Sequence, residues 1–177
     1  LDWFKRCAFE PGTSYADIEA GIKAGESTPV FLPFLYGERC PGWNDNRRGG
    51  FEDLLPSHDR WSMYRAVQEG VLFNIYQCFE ALTRINGKPN KIRLSGGVLH
   101  SDSWSQMCAD IFQQDMEVDE NEQASLLGAV VLAKERLGVI ADIRRFDPPC
   151  SRVIYHDPQK AELYKSKYQR YMLYYNK

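Results

Sequence analysis

Residues 93–103 read Arg93-Leu94-Ser95-Gly96-Gly97-Val98-Leu99-His100-Ser101-Asp102-Ser103, which is the order of a short strand, a glycine turn and a helix start. The first amide N–H groups of a helix lack backbone partners, and the helix dipole adds about half a positive charge there, so phosphate groups bind at such junctions. Gly96 and Gly97 have no Cβ, which lets a phosphate approach the backbone, and Ser101 or Ser103 offers a hydroxyl donor. The same glycine pair also fits an ordinary tight turn, because it matches neither common glycine-rich phosphate motif.

The segments on either side of this turn alternate between helix and strand. Upstream, apolar residues three and four positions apart predict a long helix over residues 59–85, which ends at Gly87. Downstream we expect a helix from about Ser101, a short strand at 116–118, and a third helix from a capping box at 119–122. This alternation predicts an α/β layer with parallel strands.

All three helices carry a predicted apolar stripe, which in the second helix consists of Trp104, Met107, Cys108, Ile111 and Phe112. The side chains expected to be buried in the long helix are Tyr64, Val67, Val71, Ile75, Cys78, Leu82 and Ile85. Those expected to be buried in the third helix, which should end at Gly138, are Leu126, Leu127, Val130, Val131 and Leu137.

The N-terminal third contains weaker signals. Ser14 lies three residues before Asp17, which predicts a capped short helix that stops at Gly25. Residues 30–35 are apolar, but Pro33 removes a ladder hydrogen bond and restricts them to an edge strand or an extended segment. Residues 36–58 contain so many turn-forming residues that we predict a loop.

The C-terminal part is predicted to be a loop followed by a helix. Residues 139–156 show no periodicity and are expected to be irregular. Asp157-Pro158 is typical of a helix start, with a capping residue followed by proline in the first helical position. The tyrosines of this helix, expected to pack against the sheet, are Tyr164, Tyr168, Tyr171, Tyr174 and Tyr175.

Length and composition limit the class of protein. The chain has 177 residues and 44% hydrophobic content, which suits one domain with one core and excludes a disordered chain. It has 22 Lys and Arg against 24 Asp and Glu, a net charge of -2, so nucleic acid is not an expected partner. No apolar run approaches the ~20 residues that span a bilayer, so no membrane partner is expected either.

The cysteines and the first residues indicate the cellular setting. The five cysteines are odd in number and scattered without a Cys-x-x-Cys pair, which is typical of reduced thiols in a cytoplasmic protein. Residues 1–6 lack the layout of a signal peptide. A helical pattern is already under way at Leu1, and the first residue is not Met, so we expect a piece of a longer protein.

Four motifs in order connect the glycine turn to a known family. They are Phe31-Leu32-Pro33-Phe34-Leu35-Tyr36-Gly37-Glu38-Arg39-Cys40-Pro41-Gly42-Trp43-Asn44, Arg65-Ala66-Val67-Gln68-Glu69-Gly70, Leu94-Ser95-Gly96-Gly97 and Ala124-Ser125-Leu126-Leu127-Gly128-Ala129. Together they resemble the C-terminal domain of the FGGY carbohydrate kinases. The first motif, with Glu69-Gly70 and Phe73-Asn74, looks most like gluconate kinases, with xylulose kinases next.

The resemblance implies an α/β, actin-like ATPase (ribonuclease H-like) fold of two domains, with sugar and ATP meeting in the cleft between them. Residues 1–177 would be the C-terminal, nucleotide-side domain, incomplete at its N-terminus. The activity implied is phosphorylation of gluconate, or as second choice xylulose, with ATP and Mg²⁺. The partners implied are ATP or ADP, a small sugar and the missing N-terminal domain, and a homodimer stays open.

The resemblance also implies which residues contact the nucleotide. In this family the Ser-Gly-Gly turn lies against the phosphates, which implies contacts for Gly96, Gly97 and Val98. A polar residue four positions after the second glycine, here Ser101, lies near the adenosine. Asp2 stands about where relatives carry a nucleotide-contacting residue, although a solvated aspartate on a helix surface is the more common explanation.

Several positions depart from the family pattern. Many relatives have asparagine at Ser101, and serine offers one hydroxyl in place of an amide. Relatives often have glycine at Asp53, which predicts a remodelled loop. The first phosphate loop and the catalytic aspartate of the family would lie upstream of Leu1, so we assign no catalytic residue and expect the isolated chain to be inactive.

Other constellations give less support to a site. The aspartates with no metal or base motif around them, for which cap or solvated roles are expected, are Asp45, Asp53, Asp102 and Asp110. The three histidines, His58, His100 and His156, have no helical pairing, so no metal site is assigned. The alternative to a kinase domain is a noncatalytic nucleotide-binding or interaction module with the same fold, which would need no upstream catalytic segment.

Overall fold

The computed structural model describes residues 1–23, 25, 27–119, 124–147 and 150–177. Its α-helices are α1 (Asp2–Ala8), α2 (Tyr15–Ala20), α3 (Arg60–Asn86), α4 (Asp102–Phe112), α5 (Ala124–Arg136) and α6 (Ala161–Tyr175). Its strands are β1 (Val30–Leu32), β2 (Gly50–Glu52), β3 (Ile92–Leu94), β4 (Met116–Val118) and β5 (Arg152–Ile154). Short 3-10 turns cover Gly97–His100, Ile143–Arg145 and Pro158–Lys160.

A three-stranded sheet lies next to the glycine turn. Strands β3 and β4 are parallel, which confirms the predicted parallel pair, and Arg93 lies opposite Glu117 with its Nε 3.1 Å from the carboxylate. Strand β5 pairs with β4 antiparallel, so the prediction of a loop over residues 139–156 is wrong at this point. Two of the three β5 residues are exposed, so hydrophobicity does not alternate along this segment of the sequence. The strand is recognised only from its pairing with β4.

A second sheet contains only β1 and β2, paired antiparallel with Phe31 opposite Phe51. Strand β1 ends before Pro33, as predicted for a strand limited by proline. Strand β2 lies inside residues 36–58, so the loop prediction is wrong there as well. A Cβ on Gly49 would lie 2.4 Å from the backbone oxygen of Leu32, so this glycine permits two backbones to approach closely.

Two hydrophobic clusters replace the single predicted core. The smaller one, called here the N-terminal cluster, contains Phe4, Ile18, Phe31, Tyr64, Ala66 and Val67. The larger one collects side chains of α3, α4, β4, β5 and α6. Strand β1 serves both, because Phe31 belongs to the N-terminal cluster while Val30 and Leu32 belong to the larger one, as alternation along a strand requires.

Helix α3 confirms the predicted helix and its end before Gly87, but its buried face is partly different. Its N-cap is Asp59. Tyr64 and Val67 are buried as expected, and Val71 and Cys78 are half-buried. The side chains of Ile75, Leu82 and Ile85 are exposed, so the predicted buried stripe is wrong in the C-terminal half of α3. The rings of Tyr76 and Phe79 pack against Phe112 instead, which turns another face of the helix toward the larger cluster.

Helix α5 departs furthest from its predicted stripe. Val131 is 3% exposed, but Leu126, Val130 and Leu137 are exposed and Leu127 is only half-buried. Among the described residues the helix packs mainly against the 3-10 turn Ile143–Arg145, so most of its apolar side chains are not buried in either hydrophobic cluster. The predicted capping box at 119–122 lies mostly outside the described residues. Gly138, with φ of +72°, follows the helix as expected.

The predicted capping residues of the short helices are confirmed. Ser14 and Asp17 form a reciprocal capping box at α2. The helix ends at Ala20 and not at Gly25. A Cβ on Gly21 would lie 2.0 Å from the Trp61 indole nitrogen, so only glycine fits directly after the helix. Asp157 caps the 3-10 turn that leads into α6.

Helix α6 lies against β1, α3 and α4. Its tyrosines pack inward as predicted, with Tyr164, Tyr171 and Tyr175 buried. In the part of the chain with described coordinates, no helix combines the length and apolar content that crossing a bilayer requires.

Candidate functional site

The glycine turn lies between β3 and α4, as predicted, with one 3-10 turn inserted before the helix. Gly96 adopts φ of +82° and ψ of -157°, a region that suits glycine, and the Gly97–His100 turn follows. A Cβ on either glycine would meet no atom within 4 Å, so space is open beside the turn. The N–H groups of Gly97 and Val98 stand at the start of a helical turn, where donors lack intrahelical partners.

The turn opens onto a cleft of about 890 Å³. Of the residues expected to contact a nucleotide, Gly97, Val98 and Ser101 line this cleft, and Gly96 does not. The other lining residues are Leu1, Asp2, Trp3, Arg6, Tyr15, Glu19, Phe31, Pro33, Leu35, Tyr36, Tyr64, Val67, Val71, Ser95, His100 and Trp104. The volume lies within the ~300–1,000 Å³ typical of small-molecule sites.

Aromatic rings form much of the cleft wall. Trp3 and Phe31 stack with ring centroids 6.1 Å apart. Tyr36, which is 87% exposed, and Trp104, which lies on α4, also line the cleft. Apolar walls with few polar groups are typical of sites that bind a flat heterocycle.

The Ser101 hydroxyl already forms hydrogen bonds within the protein, both as donor and as acceptor. Its Oγ accepts from the backbone N–H of Trp104, which makes it the N-cap of α4, and donates to Glu19 Oε2 at 2.8 Å. Ser103 Oγ also donates to Glu19 Oε2, at 3.0 Å. Neither hydroxyl therefore keeps its donor for a phosphate, and the remaining lone pair of Ser101 is an acceptor.

Glu19 was not singled out from the sequence. Its carboxylate joins three helices, because it also accepts from the Gln68 amide at 3.3 Å. Its partner Ser101 is 82 positions away along the chain, so no local spacing could have predicted the contact.

Asp2 lies on the cleft, exposed on α1, and accepts a hydrogen bond from the Tyr15 hydroxyl. This hydrogen bond holds the pKa of Asp2 below its usual range. Burial, together with the Asp2 carboxylate, raises the pKa of Tyr15 to about 12. Asp2 is thus both the expected solvated aspartate and a cleft residue with a defined partner.

The other sequence candidates lie in structural contacts. The pairs of aspartates with cations are Asp45 with Arg39, Asp53 with Arg170, Asp102 with Arg152 and Asp110 with Lys160, at 2.9 to 3.1 Å. His58 accepts from the backbone N–H of Leu55, and His156 pairs with Asp115. His100 lines the cleft. Across the described ranges no group of three or more His, Cys, Asp or Glu could hold a metal ion.

A phosphate-type turn beside an aromatic cleft in an α/β fold is typical of enzymes that use nucleotides. Residues 10–134 match the model of the FGGY family of carbohydrate kinases, C-terminal domain. The chain belongs to this family. It therefore has the actin-like ATPase fold that the four motifs implied.

Individual relatives agree with this assignment. A gluconokinase from Bacillus licheniformis is 39% identical over 141 residues, which are 79% of this chain and 28% of that protein. A xylulose kinase from Bacillus subtilis (strain 168) is 30% identical over 177 residues, 97% of this chain and 35% of that protein. The crystal structure of gluconate kinase from Lactobacillus acidophilus matches with a TM-score of 0.87 and 32% identity, over 99% of this chain and 37% of that one. The chain thus spans about a third of its relatives' length.

Proposed function

We propose that this chain supplies the nucleotide side of an ATP-dependent carbohydrate kinase. The observation that carries the proposal is the opening of the glycine turn onto the cleft, with Gly97 and Val98 at its wall. The backbone N–H groups of these two residues would receive the phosphates, and Gly96 would shape the turn behind them. The aromatic wall formed with Trp3 and Trp104 would receive the nucleoside.

In phosphoryl transfer most of the rate enhancement comes from positioning and from stabilising the charge on the phosphates. The role proposed for this chain is accordingly to hold the phosphate donor in place. The catalytic base would come from a part of the enzyme that this chain does not match, so the isolated chain would bind nucleotide without phosphorylating a sugar. A cytoplasmic location belongs to the same proposal.

Magnesium enters this proposal only as a counter-ion carried by the nucleotide. The carboxylates on the cleft are Asp2 and Glu19, and both already accept hydrogen bonds from protein hydroxyls. The described residues contain no group of three or more His, Cys, Asp or Glu that could hold Mg²⁺, and this ion is held mainly by waters and substrate phosphates in such enzymes.

Gluconate is the sugar substrate we propose first, and xylulose second. The support is the order of the relatives, because the gluconokinase is 39% identical and the xylulose kinase 30%. The partner in this proposal is the remainder of a kinase of the relatives' length.

The test is to substitute Gly97 with valine and titrate ADP by calorimetry. Gly97 has no positive φ, and a Cβ there meets no atom, so the fold should survive while the branched side chain blocks the phosphates. We expect ADP affinity to fall about 10- to 100-fold, each tenfold being about 1.4 kcal/mol.

Gly50→Val is the matched control, since Gly50 also has open space and lies on β2 away from the cleft. Its ADP affinity should equal that of the parent chain. If Gly97→Val binds ADP as tightly as Gly50→Val, the turn is a structural element only and the proposal fails.

A further inference from the structure

The hydroxyl of Tyr64 is buried and has no hydrogen-bond partner among the residues that the structure describes. Its side chain is fully buried at 0% exposure. Leaving a buried hydroxyl unsatisfied costs about 1–3 kcal/mol. Such a group calls for an explanation, and a ligand that supplies the missing partner is one.

Tyr64 lies in the wall of the cleft described above. The groups whose charge acts on its hydroxyl, Glu19, Tyr15 and Asp2, line the cleft as well. Burial, reinforced by these groups, holds the pKa of Tyr64 far above its usual range. The side chain is therefore a neutral phenol with a proton to donate.

The acceptors near Tyr64 already have other donors. Glu19 accepts from Ser101, Ser103 and Gln68, and Asp2 accepts from Tyr15. The Tyr64 ring is fixed in the N-terminal cluster, 6.2 Å from the Phe9 ring and 6.5 Å from the Phe4 ring. These ring contacts hold the side chain in place, and its hydroxyl forms no hydrogen bond with the described residues.

We propose that the Tyr64 hydroxyl donates a hydrogen bond to the nucleoside part of the nucleotide that the cleft binds, an inference that rests on the proposed function. The proposed contacts for the phosphates are the backbone N–H groups of Gly97 and Val98, so the nucleoside is the part of the ligand left to reach Tyr64. A ring nitrogen of the base or an oxygen of the ribose is the acceptor chemistry that remains. Because the hydroxyl is closed to solvent, binding requires neighbouring side chains to rotate, a movement on the picosecond to nanosecond scale for exposed residues.

The variant that tests this is Tyr64→Phe, which removes one oxygen and keeps the ring. Tyr171→Phe is the matched control, because Tyr171 is also 0% exposed with an unpartnered hydroxyl, but it lies in the larger cluster and not on the cleft. ADP, adenosine and pyrophosphate are each titrated by calorimetry into both variants and the parent. Adenosine reports binding of the nucleoside part, and pyrophosphate reports binding of the phosphates.

We expect Tyr64→Phe to weaken ADP and adenosine by the same factor, about threefold to tenfold, and to leave pyrophosphate binding unchanged. Tyr171→Phe should leave all three unchanged. The melting temperature of Tyr64→Phe should not fall without ligand, because the deleted hydroxyl has no partner to lose.

Unchanged ADP and adenosine binding in Tyr64→Phe would overturn the inference and leave the proposed function standing. A lower melting temperature in the ligand-free variant would overturn it too, since the hydroxyl would then have a partner within the protein. If the parent chain binds neither ADP nor adenosine, the proposed function fails and takes the inference with it.

Discussion

The two glycines of the turn have different reasons to be glycine. Gly96 has φ of +82° and lies behind the cleft wall, so its backbone conformation is what requires the missing Cβ. Gly97 has no such φ and lines the cleft, so its missing Cβ leaves space for a ligand. From the sequence, both glycines were predicted to let a phosphate approach the backbone. A sequence does not distinguish a glycine required by its backbone conformation from one that leaves space for a ligand.

Gly96→Ala should lower the free energy of unfolding by about 1–2 kcal/mol, since an L-residue is strained at this φ whatever the space around it. Urea unfolding measures it. Gly97→Ala is the control and should change the unfolding free energy by less than about 0.5 kcal/mol. Equal losses in the two variants would show that the positive φ of Gly96 is not the cause.

Asp53, which does not line the cleft, is another position where the backbone conformation favours glycine. Its backbone φ is +58°, the region that glycine occupies easily and that aspartate tolerates better than most residues. Its carboxylate lies 2.9 Å from Arg170 Nη2. The turn is thus compatible with an aspartate where many relatives have glycine, because an ion pair accompanies the left-handed conformation.

At the scale of elements, local signals were predictive and nonlocal ones were not. The capping residues Ser14 and Asp157 accept hydrogen bonds from backbone N–H groups within three residues of chain, and both predictions are confirmed. Strands β2 and β5 have three residues each and exist because of distant partners, β1 and β4, so no window of sequence reveals them. The α5 stripe predicted burial from periodicity alone, and periodicity does not say whether a partner surface is present.

Asp59 offers a test of how a cap stabilises an element. Its carboxylate accepts from the backbone N–H groups of Ser62 and Trp61, and these hydrogen bonds hold its pKa below the usual range. A lowered folded-state pKa means that the stabilisation is complete above the ordinary aspartate pKa and is lost as pH falls through the lowered value. Asp59→Ala should cost about 1 kcal/mol at pH 7 and less near pH 3, by urea unfolding.

Asp59→Asn provides the control for this element. Asparagine caps about as well as aspartate but does not titrate, so its stability should fall less steeply with acid than that of the parent chain. If parent and Asp59→Asn lose stability in parallel between pH 6 and pH 3, the charge of Asp59 contributes nothing to α3.

At the scale of the whole molecule, the cleft lies where the two hydrophobic clusters meet. Phe31 and Tyr64 belong to the N-terminal cluster, while Trp104 packs against the larger one. The glycine turn was predictable because strand, turn and helix are contiguous in the sequence. The facing wall, with Glu19 and Tyr64, was not, since only the packing of α1, α2 and α3 brings it opposite the turn.

The four tryptophans allow one measurement of where a nucleotide binds. Trp3 and Trp104 line the cleft, whereas Trp43 and Trp61 do not. In a ¹⁵N-edited NMR titration with ADP, we expect the amide signals of Gly97 and Val98 and the indole signals of Trp3 and Trp104 to shift together. The indole signals of Trp43 and Trp61 should stay in place. Shifts at Trp43 and Trp61 without shifts at Gly97 and Val98, or no shifts at saturating ADP, would contradict the assignment of the cleft as the nucleotide site.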